Sequence, residues 1–217
     1  MLTLLLTSGI LMLGCKTKKQ DDWTIEYYPS GAVKSKYRCD KDSMKDGKFW
    51  EYYENGIVKE DLNYSMGYLF GEQKFYFEDG TLRKYSVVDG FDDVIYVKKW
   101  DKTKRVISEE GVAISPNLYC DKYSNGSIKQ YDTIYFETMI SLPPPVMSYS
   151  VNKWFIREEM APIKSEKLKA GEHNTITFAE VFSDTGLYRL YIACTLIDSS
   201  GAVFLSDTNF KKFRVVP

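Results

Sequence analysis

One short pattern of aromatic, polar and aliphatic positions recurs along the first 130 residues of the chain. Each copy has an aromatic residue, two further residues, a glycine, one more residue and an aliphatic residue. The first three copies carry Gly31, Gly56 and Gly80, which are 25 and 24 residues apart. A later copy carries Gly126, and a degraded copy occupies residues 100–106 between them. A fixed period of this length is the signature of a repeat array.

The glycine of each copy predicts a hairpin turn. Asn55-Gly56 and Asp79-Gly80 are typical two-residue turns of type I′, which need positive φ at both central positions. Such a turn would place Tyr53 opposite Val58. The same count pairs Tyr28 with Val33, Phe77 with Leu82 and Tyr123 with Ile128, and puts further turns at Ser30-Gly31 and Asn125-Gly126. Because one hairpin alone is marginal in water, we expect residues 23–130 to form a single extended antiparallel sheet.

The period disappears after about residue 130, and the rest of the chain reads as a second β unit. Candidate strands lie at 133–140, 146–155, 174–182, 188–196 and 210–216. Ser199-Ser200-Gly201 predicts a hairpin turn between the last two. Several short strands within residues 131–217 favour a β-sandwich. The expected fold class of the whole chain is therefore all-β.

Two stretches resemble known families. Residues 52–59 (Tyr-Tyr-Glu-Asn-Gly-Ile-Val-Lys), with the later Gly67 and Gly71, resemble the bacterial MORN-type repeat, well over residues 23–90 and poorly over 91–130. The resemblance implies a repeat class. Bacterial proteins with such repeats are often identified as antitoxins of toxin–antitoxin pairs or as uncharacterised lipoproteins, which makes an antitoxin-like role one alternative.

Residues 184–190 (Asp-Thr-Gly-Leu-Tyr-Arg-Leu) resemble the tyrosine corner of immunoglobulin-like domains, with Tyr188 as the corner residue. Leu190 stands where those domains have their second cysteine, so the resemblance implies an Ig-like sandwich without the inter-sheet disulfide. Trp154 is the candidate for the core tryptophan. The alternative is an unrelated turn with an exposed tyrosine.

The N-terminal sequence predicts attachment to a membrane. Residues 2–13 are apolar but too short to span a bilayer, which is typical of a signal-peptide core. The segment ends in Leu13-Gly14-Cys15, which resembles a bacterial lipoprotein signal and implies that Cys15 is the lipidated residue. Residues 1–15 would then be the signal and 16–22 a tether. The same resemblance, with Lys16 rather than Asp at the second mature position, implies the outer membrane of the cell envelope. A simple secretory signal or a buried strand are the alternatives.

Composition and motifs argue against catalysis. The 29 basic and 30 acidic residues give no reason to expect a nucleic-acid partner. The one histidine, His173, lies in a polar stretch, and no Cys/His/Asp cluster has metal-ligand spacing, so we expect neither metal nor cofactor. Ser150 and Lys153 match a Ser-x-x-Lys motif, but positions three apart on a strand point to opposite faces. Apart from Cys15, three cysteines remain, an odd number that excludes a full disulfide framework: Cys39, Cys120 and Cys194.

The remaining hypothesis is a binding module. Strand alternation sends Tyr27, Trp50, Tyr52 and Tyr76 to the face opposite Tyr53. Contiguous exposed aromatic residues usually mark a binding site. We therefore expect a non-catalytic interaction or scaffold role through the repeat sheet, with a protein partner, or alternatively a glycan or cell-wall ligand that stacks on these rings. Ordinary sheet packing is the remaining explanation for the aromatic residues.

Overall fold

A computed structural model describes residues 17–20, 22–89, 93–115, 119–122, 127–157, 164–171 and 174–217. This described part is all-β and contains no α-helix, so the predicted fold class is confirmed. Within these ranges no helix has the length and apolar character that a membrane span requires. The predictions for Cys15, for Tyr123, for the Asn125-Gly126 turn and for His173 lie outside the described residues.

The first sheet has nine strands, each antiparallel to the next in chain order, as expected for successive hairpins. They are β1 (Thr17–Gln20), β2 (Trp23–Tyr27), β3 (Val33–Cys39), β4 (Lys45–Tyr52), β5 (Val58–Ser65), β6 (Tyr68–Tyr76), β7 (Leu82–Asp89), β8 (Val94–Trp100) and β9 (Val106–Gly111).

The rest of the chain forms an Ig-like β fold of two sheets, one of three strands (β10-β12-β15) and one of five (β11-β17-β16-β13-β14). The strands are β10 (Tyr119–Cys120), β11 (Ser127–Lys129), β12 (Thr133–Met139), β13 (Ser148–Arg157), β14 (Lys164–Leu168), β15 (Thr175–Val181), β16 (Gly186–Ile197) and β17 (Val203–Val216). All five predicted strands are present, and the predicted turn at Gly201 joins β16 to β17.

The repeat sheet ends at Gly111, earlier than the expected residue 130. Ile128, assigned to the last repeat, lies in β11, pairs in parallel with Val215 of β17 and is buried in the sandwich core. The fourth hairpin is instead the degraded copy, in which Trp100 opposes Val106. Lys104, with φ of 64°, takes the place of the repeat glycine there.

The turn register differs from the prediction by one residue. The Gly56 N–H donates to the Tyr53 carbonyl (2.9 Å), and the Tyr53 N–H donates to the Ile57 carbonyl (2.8 Å). The loop therefore has three residues, a type I turn followed by a glycine bulge, rather than two. The prediction that Tyr53 opposes Val58 is wrong, because Tyr52 holds that position. The equivalent pairs are Tyr27 with Val33, Tyr76 with Leu82, and Trp100 with Val106.

The tyrosine corner is present in the sandwich. The Tyr188 hydroxyl donates to the main-chain carbonyl of Asp184 (3.1 Å), and the ring is buried. Trp154, however, is not a core residue. Alternation along β13 turns Lys153 and Phe155 inward, so Trp154 lies on the outer side of the sheet and stacks on Tyr191 with ring centroids 5.4 Å apart.

The sandwich packs against one end of the repeat sheet. Tyr85, Tyr96 and Trp100 of β7 and β8 form a buried cluster with Met139, and Leu205 packs against it. The Leu142 N–H donates to the Tyr85 hydroxyl oxygen (2.9 Å). These contacts cover β7 and β8 on one face.

Candidate functional site

The four candidate aromatic residues share one face of the repeat sheet, which we call the front face. Directly opposed residues of neighbouring strands lie on the same face. The row that contains Trp50 runs across the sheet through Ile25, Lys36, Asp61, Lys74, Tyr85 and Lys98. Tyr27, Tyr52 and Tyr76 each lie two residues beyond a member of this row, so alternation places them on the front face as well. All four rings are partly exposed.

The structure adds a fifth aromatic residue that sequence reasoning missed. Trp23 lies two residues before Ile25, and its ring centroid is 5.4 Å from that of Trp50. The Arg38 guanidinium and the Lys36 ammonium lie 4.4 Å and 4.7 Å from the centre of the Trp23 ring. Strand alternation could have identified Trp23 from the sequence, because it lies an even number of positions before Tyr27 on the same strand.

One aromatic per repeat occupies the same position on the front face. These residues are Tyr27, Tyr52, Tyr76 and Trp100, each opposed by an aliphatic residue. Because each repeat adds two strands, successive rings are about 10 Å apart across the sheet. Trp100 is only 9% exposed, and it lines a groove of about 560 Å³ together with Leu82, Pro144 and Pro145. The row of accessible rings thus ends where the sandwich begins.

Tyr28 and Tyr53, which were expected to oppose aliphatic residues, instead form hydrogen bonds to the main chain. The Tyr28 hydroxyl donates to the Tyr52 carbonyl (2.6 Å), and the Tyr53 hydroxyl donates to the Tyr76 carbonyl (2.9 Å). These bonds span 24 and 23 residues and tie each turn to the following repeat. Tyr28 and Tyr53 therefore have a structural role, in which they bond to main-chain carbonyls of the next repeat instead of opposing an aliphatic side chain.

Charged groups between the front-face rings are largely paired. Lys48 contacts Asp61 at 2.8 Å, and Lys74 contacts Glu72 at 3.0 Å. Burial, and then the charge of Asp61, raise the pKa of both Tyr52 and Tyr76. Both phenols are therefore neutral hydrogen-bond donors at physiological pH. The face offers ring surface, hydroxyl groups and ion pairs, which suit recognition.

In the part of the chain that the structure describes, no group of three or more His, Cys, Asp or Glu side chains could hold a metal ion. Ser150 and Lys153 lie on opposite sides of β13, with Lys153 turned inward. Cys39, Cys120 and Cys194 are free thiols.

The fold defines a class of all-β proteins in which a hairpin-repeat sheet precedes an Ig-like sandwich. No family model matches the chain. No curated protein matches it either. Among solved structures, the soluble domain of PmoD from Methylocystis sp. ATCC 49242 (Rockwell) is similar at 17% identity, over 57% of this chain and 92% of that chain, with a TM-score of 0.31. A likeness at this level carries no argument about function.

Proposed function

We propose that this chain is a non-catalytic, lipid-anchored protein of the cell envelope whose repeat sheet binds a protein partner through the front face. The observation that carries the proposal is the open aromatic surface on β2–β6. Trp23, Tyr27, Trp50, Tyr52 and Tyr76 remain partly exposed there, while the sandwich packs on β7 and β8. Contiguous exposed aromatic surface of this kind usually marks an interaction site.

The chemistry of the surface favours a protein over a glycan. Protein interfaces are enriched in Tyr, Trp and Arg, and these residues dominate their binding energy. Here Arg38 stacks on Trp23, and paired charges lie between the rings. The rings of Trp23 and Trp50 are inclined at 35°, so they do not form one flat stacking platform.

The size of the surface also suits a protein. Five strands with about seven residues each cover a projected area of roughly 500 Å². That is the order of the roughly 800 Å² of accessible surface that each partner buries in a standard interface.

The test is a crosslinking pull-down from detergent-solubilised envelopes with the wild type and Trp50→Ala/Tyr52→Ala. The matched control is Tyr131→Ala/Tyr135→Ala, which removes two exposed rings from the sandwich. We expect one protein to be enriched with the wild type and the control and lost with the front-face variant, while circular dichroism shows all three folded. If a glycan array instead shows binding that depends on Trp50 and Tyr52, the glycan alternative replaces this proposal. Equal capture by all three forms would refute the site.

The anchor is tested separately. The apolar segment that ends in Leu13-Gly14-Cys15 supports lipidation at Cys15. Metabolic labelling with a palmitate analogue should mark the wild type and Cys39→Ser but not Cys15→Ser. Equal labelling of Cys15→Ser and the wild type would contradict the lipoprotein assignment.

A further inference from the structure

The back face of the repeat sheet, opposite the front face, carries a cationic groove near the turns of the third and fourth hairpins. Its volume is about 740 Å³. Two phenylalanine rings and four cations line it: Phe75, Phe77, Arg83, Lys84, Lys99 and Lys102. The register confirms the shared face, because Phe75 opposes Lys84 and Lys84 opposes Lys99.

Acidic groups act on these cations only from beyond ion-pair distance: Glu60 acts on Lys84 and Arg83, and Asp79 acts on Lys102. Among the described residues, none of the four lies within ion-pair distance of a carboxylate. Lys84 and Lys99 are directly opposed, an arrangement that destabilises a sheet when the charges are alike. The groove contains two acids: Asp101 is already held by Arg105 at 3.3 Å, and Glu60 offsets part of the charge of Lys84 and Arg83. The groove therefore carries excess positive charge in a chain whose net charge is −1.

Burial, and then the charges of Lys99 and Arg83, lower the pKa of Lys84. The Lys84 ammonium lies 4.3 Å from the centre of the Phe75 ring, and the Lys102 ammonium lies 5.8 Å from that of Phe77. Ring faces give only partial compensation for a desolvated cation. An oxyanion in the groove would supply the missing counter-charge.

The groove borders a strand edge. β9 is the last strand of the sheet and pairs only with β8, so its outer edge has no strand partner among the described residues. Val106 and Ile107 are 50% and 63% exposed, and Ile107 also lines the groove. Residues 106–108 carry no charge that would repel an added strand, whereas Glu109 and Glu110 follow them.

We propose that the first half of β9 and the cationic groove together bind an extended acidic peptide segment of a partner protein. The peptide adds one strand to the edge of the sheet, so that its main-chain groups pair with those of β9. An acidic side chain on its back-face side extends over Ser108, which is small and directly opposes Lys99. The unpaired edge favours a peptide over an acidic polysaccharide, because a polysaccharide lacks amide groups spaced to match a strand. None of the five accessible front-face rings lines this groove.

The probe is a short fluorescent peptide that alternates Glu and Val, measured by anisotropy against the purified protein at low and moderate salt. We expect binding that weakens with salt. Exchange of every Glu for Gln in the peptide, or Lys84→Gln/Lys99→Gln in the protein, should weaken it about tenfold or more. The matched control Lys167→Gln/Lys169→Gln removes two exposed charges from the sandwich and should leave affinity unchanged.

Two further arms decide the kind of ligand and its independence from the front face. A peptide with Pro at alternate positions keeps its carboxylates but loses main-chain donors, and we expect it to bind much more weakly. Trp50→Ala/Tyr52→Ala should bind the probe as the wild type does, so failure of this site is distinguishable from failure of the front face. The proposal is overturned by absence of binding, by equal binding of the Gln peptide, or by a polyuronate that binds more tightly than the peptide.

Discussion

Lys153 connects the two sheets of the sandwich and gives the sharpest stability test. Its side chain is 3% exposed and projects from β13 toward the other sheet. The ammonium donates to Glu180 of β15 and lies 3.3 Å from Glu166 of β14. It also lies 4.3 Å from the centre of the Phe178 ring. The amine therefore depends on protein groups, because water has almost no access to it.

The two single substitutions should lower the free energy of unfolding by different amounts. Glu180→Gln keeps the shape but leaves the buried ammonium to Glu166, whose side chain is 46% exposed, and to the Phe178 ring. Loss of one partner of a buried pair typically costs 3–5 kcal/mol, and we expect about 3 kcal/mol because Glu166 remains. Lys153→Met should cost about 2 kcal/mol, since the carboxylate left behind is closer to solvent. The double variant should cost no more than the Glu180→Gln variant alone, because the ammonium and the carboxylate are removed together and neither charge is left without the other.

The assay is urea unfolding followed by circular dichroism and tryptophan fluorescence, with the four proteins arranged as a double-mutant cycle. We expect a coupling energy of at least about 2 kcal/mol. Lys167→Gln, an exposed charge on the edge strand β14, is the control and should change stability by less than about 0.5 kcal/mol. Additive effects of the two single variants would show that the pair does not couple the sheets and would refute the reasoning.

Three further outcomes follow from the geometry. Burial raises the pKa of Glu109, but hydrogen bonds from Lys98 and Tyr96 outweigh it and hold the pKa below the ordinary 4.5. The stability that the ionised Glu109 contributes is therefore present above pH 4.5 and is lost as the pH falls below it. Glu109→Gln should flatten the fall in urea midpoint between neutral pH and about pH 3.5. Gly56→Ala should cost about 1 kcal/mol in urea unfolding because φ is 84°, while Lys104→Gly at the equivalent turn should stabilise by about 0.5 kcal/mol; the same sign for both would contradict the turn equivalence. Tyr188→Phe should lower the unfolding free energy by about 1 kcal/mol, since the main-chain carbonyl of the exposed Asp184 exchanges the phenol for water, and an unchanged value would refute a structural role for the corner.

Periodicity sufficed to predict the hairpin array, because the signal is local and repeated. It failed on the turn register for an equally local reason. The Asn55 carboxamide accepts the Ile57 N–H at 3.0 Å, which closes a three-residue loop with only Gly56 in the left-handed region. The dipeptide Asn-Gly serves this turn as well as the two-residue one. The fourth hairpin was hard to identify because Lys104 adopts positive φ without glycine.

Local sequence patterns could not predict the contacts between segments that are distant along the chain. Residues 127–129 look like the end of a repeat but pair with β17, nearly ninety positions later. Trp154 and Phe155 are adjacent apolar residues, and only the register of β13 against β16 decides which one enters the core. Trp23 was missed because it precedes the first full copy of the repeat. In each case the deciding partner is remote in sequence.

The extent of the front-face surface also depends on such a contact. Tyr76 and Trp100 hold the same repeat position, each opposite an aliphatic residue, yet Tyr76 is partly exposed and Trp100 is 9% exposed. The difference arises because the sandwich packs on β7 and β8, where Leu142 bonds to Tyr85. A partner wide enough to cover Tyr76 therefore reaches the boundary between sheet and sandwich. If the sandwich shifts on the sheet, the surface available to that partner changes, so the domain contact sets the limit of the binding face.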